Sequence, residues 1–380
     1  MAGTMQRYIR SHTSMRGVAA LLVVLYHLQF GTVYLLPVEK ATPFLRVGYL
    51  WVDLFFVLSG FVIAYSAQTD ERAPFDREQL KAFWLARVAR IYPLHLFALL
   101  ALLAVTIGEE LVLGLTHGGV ALGALFSSAS ILNFLEQLFL LNAWGLTGRV
   151  GWNIPSWSIG AEMVAYAVFP LLAALTARRR RTALALMTLL PVIFYLWVAT
   201  TTGVLDIVKG IAVLRCLAGF SLGMVVYALR ERIAALPDAL LGAMQAGGLL
   251  LVLATMILGL NDVLVMPGFV LLIAATWTDR GWLAAPLTSR PLHWLGEISY
   301  SVYLNHFWVL SGWHFVMLRV LAWLGVAPWI GRCIVIAGAI MLVLAVSHIT
   351  YRLIERPARR AIVEAYRDRR ARRMALAPAP

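Results

Sequence analysis

Charge is scarce in this sequence. Asp, Glu, Lys and Arg make up 13% of its 380 residues, whereas 61% are hydrophobic and the mean hydropathy is +0.80. A soluble domain carries roughly a quarter charged residues, so the composition excludes an ordinary water-soluble enzyme and puts most of the chain in lipid. Cysteine is almost missing. Cys216 and Cys333 lie far apart inside apolar stretches, which excludes a disulfide framework and a thiolate metal site. The eight histidines are scattered, with no HExxH-like spacing, so no protein-bound metal is expected. The N-terminal MQRYIRSHTSMR and the apolar core after it imitate a signal peptide. No small-x-small cleavage site closes that core, and it reads as an uncleaved first span.

Acidic residues are also few, and the net charge is +13. The basic residues cluster in short loops between apolar runs, as membrane orientation requires. A nucleic-acid partner is therefore not expected.

Apolar stretches of spanning length fall near 16–36, 49–67, 91–113, 157–176, 183–202, 207–229, 239–260, 263–278, 297–318 and 330–351. The basic segments sit before the first and between alternate pairs, and include RRRR at 178–181 and the tail from Arg352 to Arg373. They share one side if the chain crosses ten times with both termini cytoplasmic. The expected fold is thus all-α: a polytopic transmembrane helical bundle of about ten spans, with no appended soluble domain. Residues 1–355 form the transmembrane domain, and 356–380 form a basic, flexible cytoplasmic tail that favours anionic lipid. Residues 118–147 are apolar but broken by Gly, Ser and Asn, and should lie in or dip into the outer leaflet.

Several ionisable groups sit where hydrocarbon should be. The first span, RGVAALLVVLYHLQFGTVYLL, opens on Arg16 and carries His27. Eleven residues make about three helical turns, so both share one face, with about 16 Å of rise between them. An imidazole at that depth points into protein or a wet cavity. In WVDLFFVLSGFVIAYS, Asp53 caps its helix or faces a cavity, and the Ser59-Gly60 pair permits close approach of a helix or a ligand. In FWLARVARIYPLH, Arg87 and Arg90 share a face at the cytoplasmic boundary. Paired guanidinium forks suit a phosphate-rich ligand, and they equally suit lipid head groups or a topology signal. Glu162, in NIPSWSIGAEMVAYAVFP, faces a cavity open to the outer side or pairs with a buried cation such as Arg215. Ser299, Tyr303 and His306 form one polar stripe in GEISYSVYLNHFWV, which lines a cavity or makes a polar helix contact.

Taken in order, the Arg16…His27 spacing, VDLFFVLSGF, the RVAR pair, WSIGAEMVAY, ISYSVYLNH and the closing YRLIERP resemble the acyltransferase-3 family of membrane proteins over nearly the whole chain. The resemblance implies a membrane O-acyltransferase moving an acyl group, acetyl foremost, from acyl-CoA to a sugar hydroxyl in a surface polysaccharide, lipid-linked glycan or other glycosylated acceptor. It implies His27 as the catalytic histidine, with Glu162 orienting the acceptor or tuning the imidazole. Arg16, Arg87 and Arg90 would bind the acyl-CoA co-substrate, and Asp53, Ser59, Tyr303 and His306 would line the cavity. No tightly bound cofactor is implied. The partners would be acyl-CoA, the sugar-containing acceptor and membrane lipids, in a bacterial cytoplasmic (inner) membrane. Met163 stands where many members carry a second acidic residue. His27 could act as general base towards the acceptor hydroxyl or attack the thioester itself; the residues do not choose. A glycolipid transporter or flippase is the competing reading, though no paired broken helices mark corresponding halves.

Overall fold

The structure, a computed structural model, describes residues 8–28, 43–67, 75–117, 127–148 and 151–375. The far end of the first apolar stretch (29–36), the start of the outer segment (118–126) and the last five residues lie outside the described residues. Among the described residues all regular structure is helical. In chain order the helices are α1 (Arg10–His27), α2 (Trp51–Ala67), α3 (Arg77–His117), α4 (Ser128–Leu138), α5 (Ser156–Arg178), α6 (Arg180–Thr201) and α7 (Ala212–Ala234). They continue as α8 (Asp238–Leu258), α9 (Val265–Thr276), α10 (Ala284–Leu287), α11 (Arg290–Glu297), α12 (Ser299–Trp323), α13 (Pro328–Thr350) and α14 (Arg356–Ala375). A π-turn, Tyr351–Glu355, joins α13 to α14.

A helix lies on each of the ten apolar stretches. Among the described residues, six helical segments are long and apolar enough to cross a membrane: Gly48–Ala67, Arg77–Thr116, Ser156–Arg178, Arg180–Thr201, Asp238–Leu258 and Trp329–Arg372. Two shorter apolar helices, Ala212–Ala228 and Asp262–Thr276, accompany them. The outside of the bundle is greasy, with Leu189, Leu190, Ile193, Leu196 and Trp197 exposed along α6. Helix α4 is inside-out in the same sense. It buries Asn133, Glu136 and Gln137 and exposes Ile131, Leu132 and Leu135. Its polar groups are satisfied inward: Glu136 accepts from the backbone N–H of Thr147 at 3.0 Å, and Asn153 N–H donates to Gln137 Oε1 at 2.7 Å. Polar groups inward and apolar groups outward is the arrangement a lipid solvent demands.

Small residues decide how close the helices come. A methyl group at Gly60 on α2 would overlap the Phe220 carbonyl of α7, and one at Gly223 on α7 would overlap the Val57 carbonyl of α2. Backbone-to-backbone contact of this kind packs helices tightly without a hydrophobic driving force. Ser59, the neighbour of Gly60, lies about 100° round the helix from it. Helix α1 is held in the same way, since Gly17 and Gly296 of α11 meet through their backbones. Its first turn is capped by Asp279, which accepts from Ser11 N–H at 2.9 Å.

Two expectations change here. Residues 356–375 of the tail, expected as a flexible end, form helix α14, which packs on α3. Asp53 and Arg215 take each other rather than the partners considered for them. Arg215 Nε donates to Asp53 Oδ1 at 2.9 Å and Nη2 to Oδ2 at 2.6 Å, with both side chains fully buried. Arg215 also donates to the carbonyls of Ile207 and Tyr49 and lies over the Trp157 ring. A two-pronged, desolvated pair with its remaining donors satisfied is a strut of the bundle. Arg215 is therefore not the partner of Glu162, and Asp53 does not line the cavity described next.

Candidate active site

Helices α1, α2, α3, α5 and α12 enclose a cavity of about 130 Å³. Arg16 enters from α1, Ser59 from α2, Arg87 and Arg90 from α3, Glu162 and Tyr166 from α5, and Ser299, Tyr300 and Tyr303 from α12. Helical spacing explains the convergence. Arg87 and Arg90 are three apart, and Glu162 and Tyr166 four apart, so each pair shares one face. Helix α12 is tied to α3 by Tyr300, whose hydroxyl donates to the Ile91 carbonyl at 2.8 Å.

Glu162 is the hub of the acidic wall. Its Oε1 accepts from Ser59 Oγ and from the Tyr166 hydroxyl at 2.5 Å. Basic groups line the same cavity. Arg87 lies 5.6 Å from the Phe83 ring and 5.8 Å from the Tyr166 ring. Arg16 donates only weakly, at 3.3 Å, to Thr13 Oγ1. The Nε–H groups of Arg16 and Arg87 are buried and have no protein acceptor. Buried donors without partners are costly, and guanidinium donors in a cavity call for an anion. The nearby carboxylates in electrostatic reach of Arg90 are Glu162 and Glu355.

His27 and His306 stand apart from these lining residues. His27 ends α1, and its ring centroid is 4.7 Å from that of His306 on α12. His306 in turn lies 6.0 Å from the Tyr303 ring, and Tyr303 packs edge-on against Phe55 at 5.5 Å. Phe55 and Tyr303 both line the cavity, so Tyr303 links the arginine cavity to His306. Each histidine points Nδ1 at a carbonyl one turn back, Val23 at 2.9 Å and Val302 at 3.2 Å. A carbonyl only accepts, so Nδ1 carries the proton in both rings and Nε2 carries the lone pair. Nε2 of His306 is buried and has no partner. Tyr303 is held by Ser158, hydroxyl to hydroxyl at 2.7 Å.

The structure thus brings Arg16, Ser59, Arg87, Arg90, Glu162 and Tyr303 to one cavity, sets His27 and His306 beside it and leaves Asp53 outside. Sequence reasoning missed Tyr166 and Tyr300. Tyr166 was within reach of it, as the residue one turn beyond Glu162 in GAEMVAY.

An all-helical bundle with membrane-length helices, a cavity walled by carboxylate and guanidinium groups and an adjacent histidine pair define an integral membrane protein built for polar chemistry within its span. The family described as acyltransferase domain matches residues 12–348, and the chain belongs to that family. Among named relatives, the acyltransferase MdmB of Streptomyces mycarofaciens is 31% identical over 166 residues, 42% of this chain and 38% of MdmB. The putative membrane-bound transacylase BcsY of Komagataeibacter xylinus is 28% identical over 366 residues, 91% of this chain and 82% of BcsY. The peptidoglycan O-acetyltransferase OatA of Listeria monocytogenes is 25% identical over 167 residues, 43% of this chain and 24% of OatA. No solved structure matches the chain significantly.

Proposed function

We propose that this protein is a membrane O-acyltransferase that moves an acyl group, acetyl foremost, from cytoplasmic acyl-CoA to a hydroxyl of a sugar-containing acceptor. The observation that carries the reading is the cavity's basic wall, where Arg16 and Arg87 hold buried donors without protein acceptors. Phosphates of coenzyme A are the chemical complement of such donors. Ten spans with both termini inside would put this wall, the start of α3 and the basic helix α14 at the cytoplasmic face, where acyl-CoA is found. A bacterial inner membrane fits that orientation. The names of MdmB, BcsY and OatA support the reaction class, and OatA, a peptidoglycan O-acetyltransferase, supports an O-acetyl transfer to a glycan.

The pantetheine arm would carry the thioester from the arginines past Phe55 and Tyr303 to His27. With its proton on Nδ1, His27 offers Nε2 as a base. It takes the proton of the acceptor hydroxyl as the oxygen attacks the thioester carbon; the C–S bond breaks, and the proton passes to the departing thiolate. Direct attack by Nε2 to give an acyl-imidazole uses the same nitrogen. Glu162, already accepting from Ser59 and Tyr166, would accept from a further hydroxyl and orient it.

The test is transfer from radiolabelled acetyl-CoA by protein in lipid nanodiscs, with surface glycans from the host supplied as acceptors. Labelled glycan from the wild-type protein, and none from a folded His27→Ala protein, is the expected result. Full transfer by His27→Ala would remove His27 from the mechanism. Label retained on denatured wild-type protein but not on His27→Ala would identify the acyl-imidazole route.

A further inference from the structure

We propose that Arg359 is a fourth guanidinium of this site and takes the outermost phosphate of the nucleotide donor, aimed there by Glu355 of the π-turn. The inference rests on the reading of a coenzyme A donor given above.

The argument starts from the turn between α13 and α14. A π-turn inserts one residue into a helix and rotates everything beyond it by about 100°. Tyr351–Glu355 is such a turn. It ends on a carboxylate that is only 5% exposed and that accepts from Ser301 Oγ of α12 at 2.7 Å. Glu355 thereby fixes the rotation of α14. Regular α-helix resumes at Arg356, so Arg359 lies one turn beyond Glu355 on the same face. Helix α14 packs on α3, the helix that carries Arg87 and Arg90. Arg359 is in electrostatic reach of both arginines and of Glu355, yet it is exposed.

The four guanidinium groups therefore run from an exposed position at Arg359 to less exposed ones at Arg87, Arg90 and Arg16. Like charges gathered this closely repel one another, and Glu162 and Glu355 offset only part of that charge. A molecule with phosphates at two separated positions matches the run, with the deeper diphosphate on Arg87 and Arg90 and the ribose 3′-phosphate on Arg359. A lipid head group would place a single phosphate at the mouth alone.

The experiment uses the full-length protein in phosphatidylcholine nanodiscs, titrated calorimetrically with coenzyme A and with 3′-dephospho-coenzyme A. The wild-type protein should prefer coenzyme A. Arg359→Ala should weaken coenzyme A binding roughly tenfold and leave dephospho-coenzyme A binding unchanged, so that the preference disappears. Arg359→Lys should restore part of it. Arg360→Ala, one residue and about 100° further round, should behave as wild type with the same unfolding temperature. Glu355→Gln should erode the preference in the same direction. Equal binding of coenzyme A by Arg359→Ala and wild type overturns the proposal, as does an equal loss for both ligands. An Arg359→Ala defect that appears only when phosphatidylglycerol is added also overturns it, in favour of a lipid site. Full discrimination by Glu355→Gln overturns the aiming role. A folded wild-type protein that binds neither ligand overturns the donor reading itself.

Discussion

The imidazoles of His27 and His306 lie with ring centroids 4.7 Å apart and 57° between their planes, one closing α1 and the other inside α12. Each commits its Nδ1 proton to a carbonyl of its own helix, so the two rings interact through their remaining edges and faces. A proton or an acyl group arriving at His27 would be felt by His306 at once. His27→Ala should lower kcat for acetyl transfer by on the order of 10²–10⁴, and His306→Phe by a smaller factor. Groups that act as a unit are not additive. The double variant should therefore be no slower than His27→Ala alone, measured as labelled glycan formed per enzyme.

Glu162 accepts from Ser59 and Tyr166 on the acidic wall. Replacing it with Gln keeps the volume and removes the charge. Glu162→Gln should lower kcat about tenfold or more with little change in the KM for acetyl-CoA, because the proposed donor contacts are Arg16, Arg87 and Arg90. Tyr166→Phe should be milder. A rise in donor KM with unchanged kcat would move Glu162 out of the acceptor site.

The buried pair of Arg215 and Asp53 makes a stability prediction unconnected with turnover. Asp53→Ala leaves a guanidinium uncompensated among apolar helices and should cost about 3–5 kcal/mol, seen as a large fall in unfolding temperature in detergent. Replacing both together, Asp53→Leu with Arg215→Met, should recover most of the loss, since two charges no longer need desolvation.

Helix spacing gives the last test. Gly223→Ala and Gly60→Ala push a methyl group into the backbone of the facing helix and should each cost about 1–3 kcal/mol. Gly247 on α8 has open space where its Cβ would stand. Gly247→Ala should be neutral or stabilise by up to about 1 kcal/mol. Similar effects at all three positions would contradict the close approach of α2 and α7.

Much of this protein was determined by the order of its residues alone. The shortage of charge required a lipid-embedded helical bundle, because backbone groups in hydrocarbon must bond within their own helix. Local spacing put Arg87 with Arg90, and Ser299 with Tyr303, each on one face, since 3.6 residues per turn is a short-range rule. Which faces meet is not a short-range matter. Asp53 and Glu162 look alike in sequence, as acidic residues early in apolar runs. The carbonyl-to-carbon contact at Gly60 and Gly223 turns Asp53 to Arg215 and Ser59 to Glu162. The placement of the C-terminal basic stretch was likewise decided in three dimensions, by one π-turn and by the bond from Ser301 to Glu355. Those partners are 54 residues apart, and no period in the chain connects them.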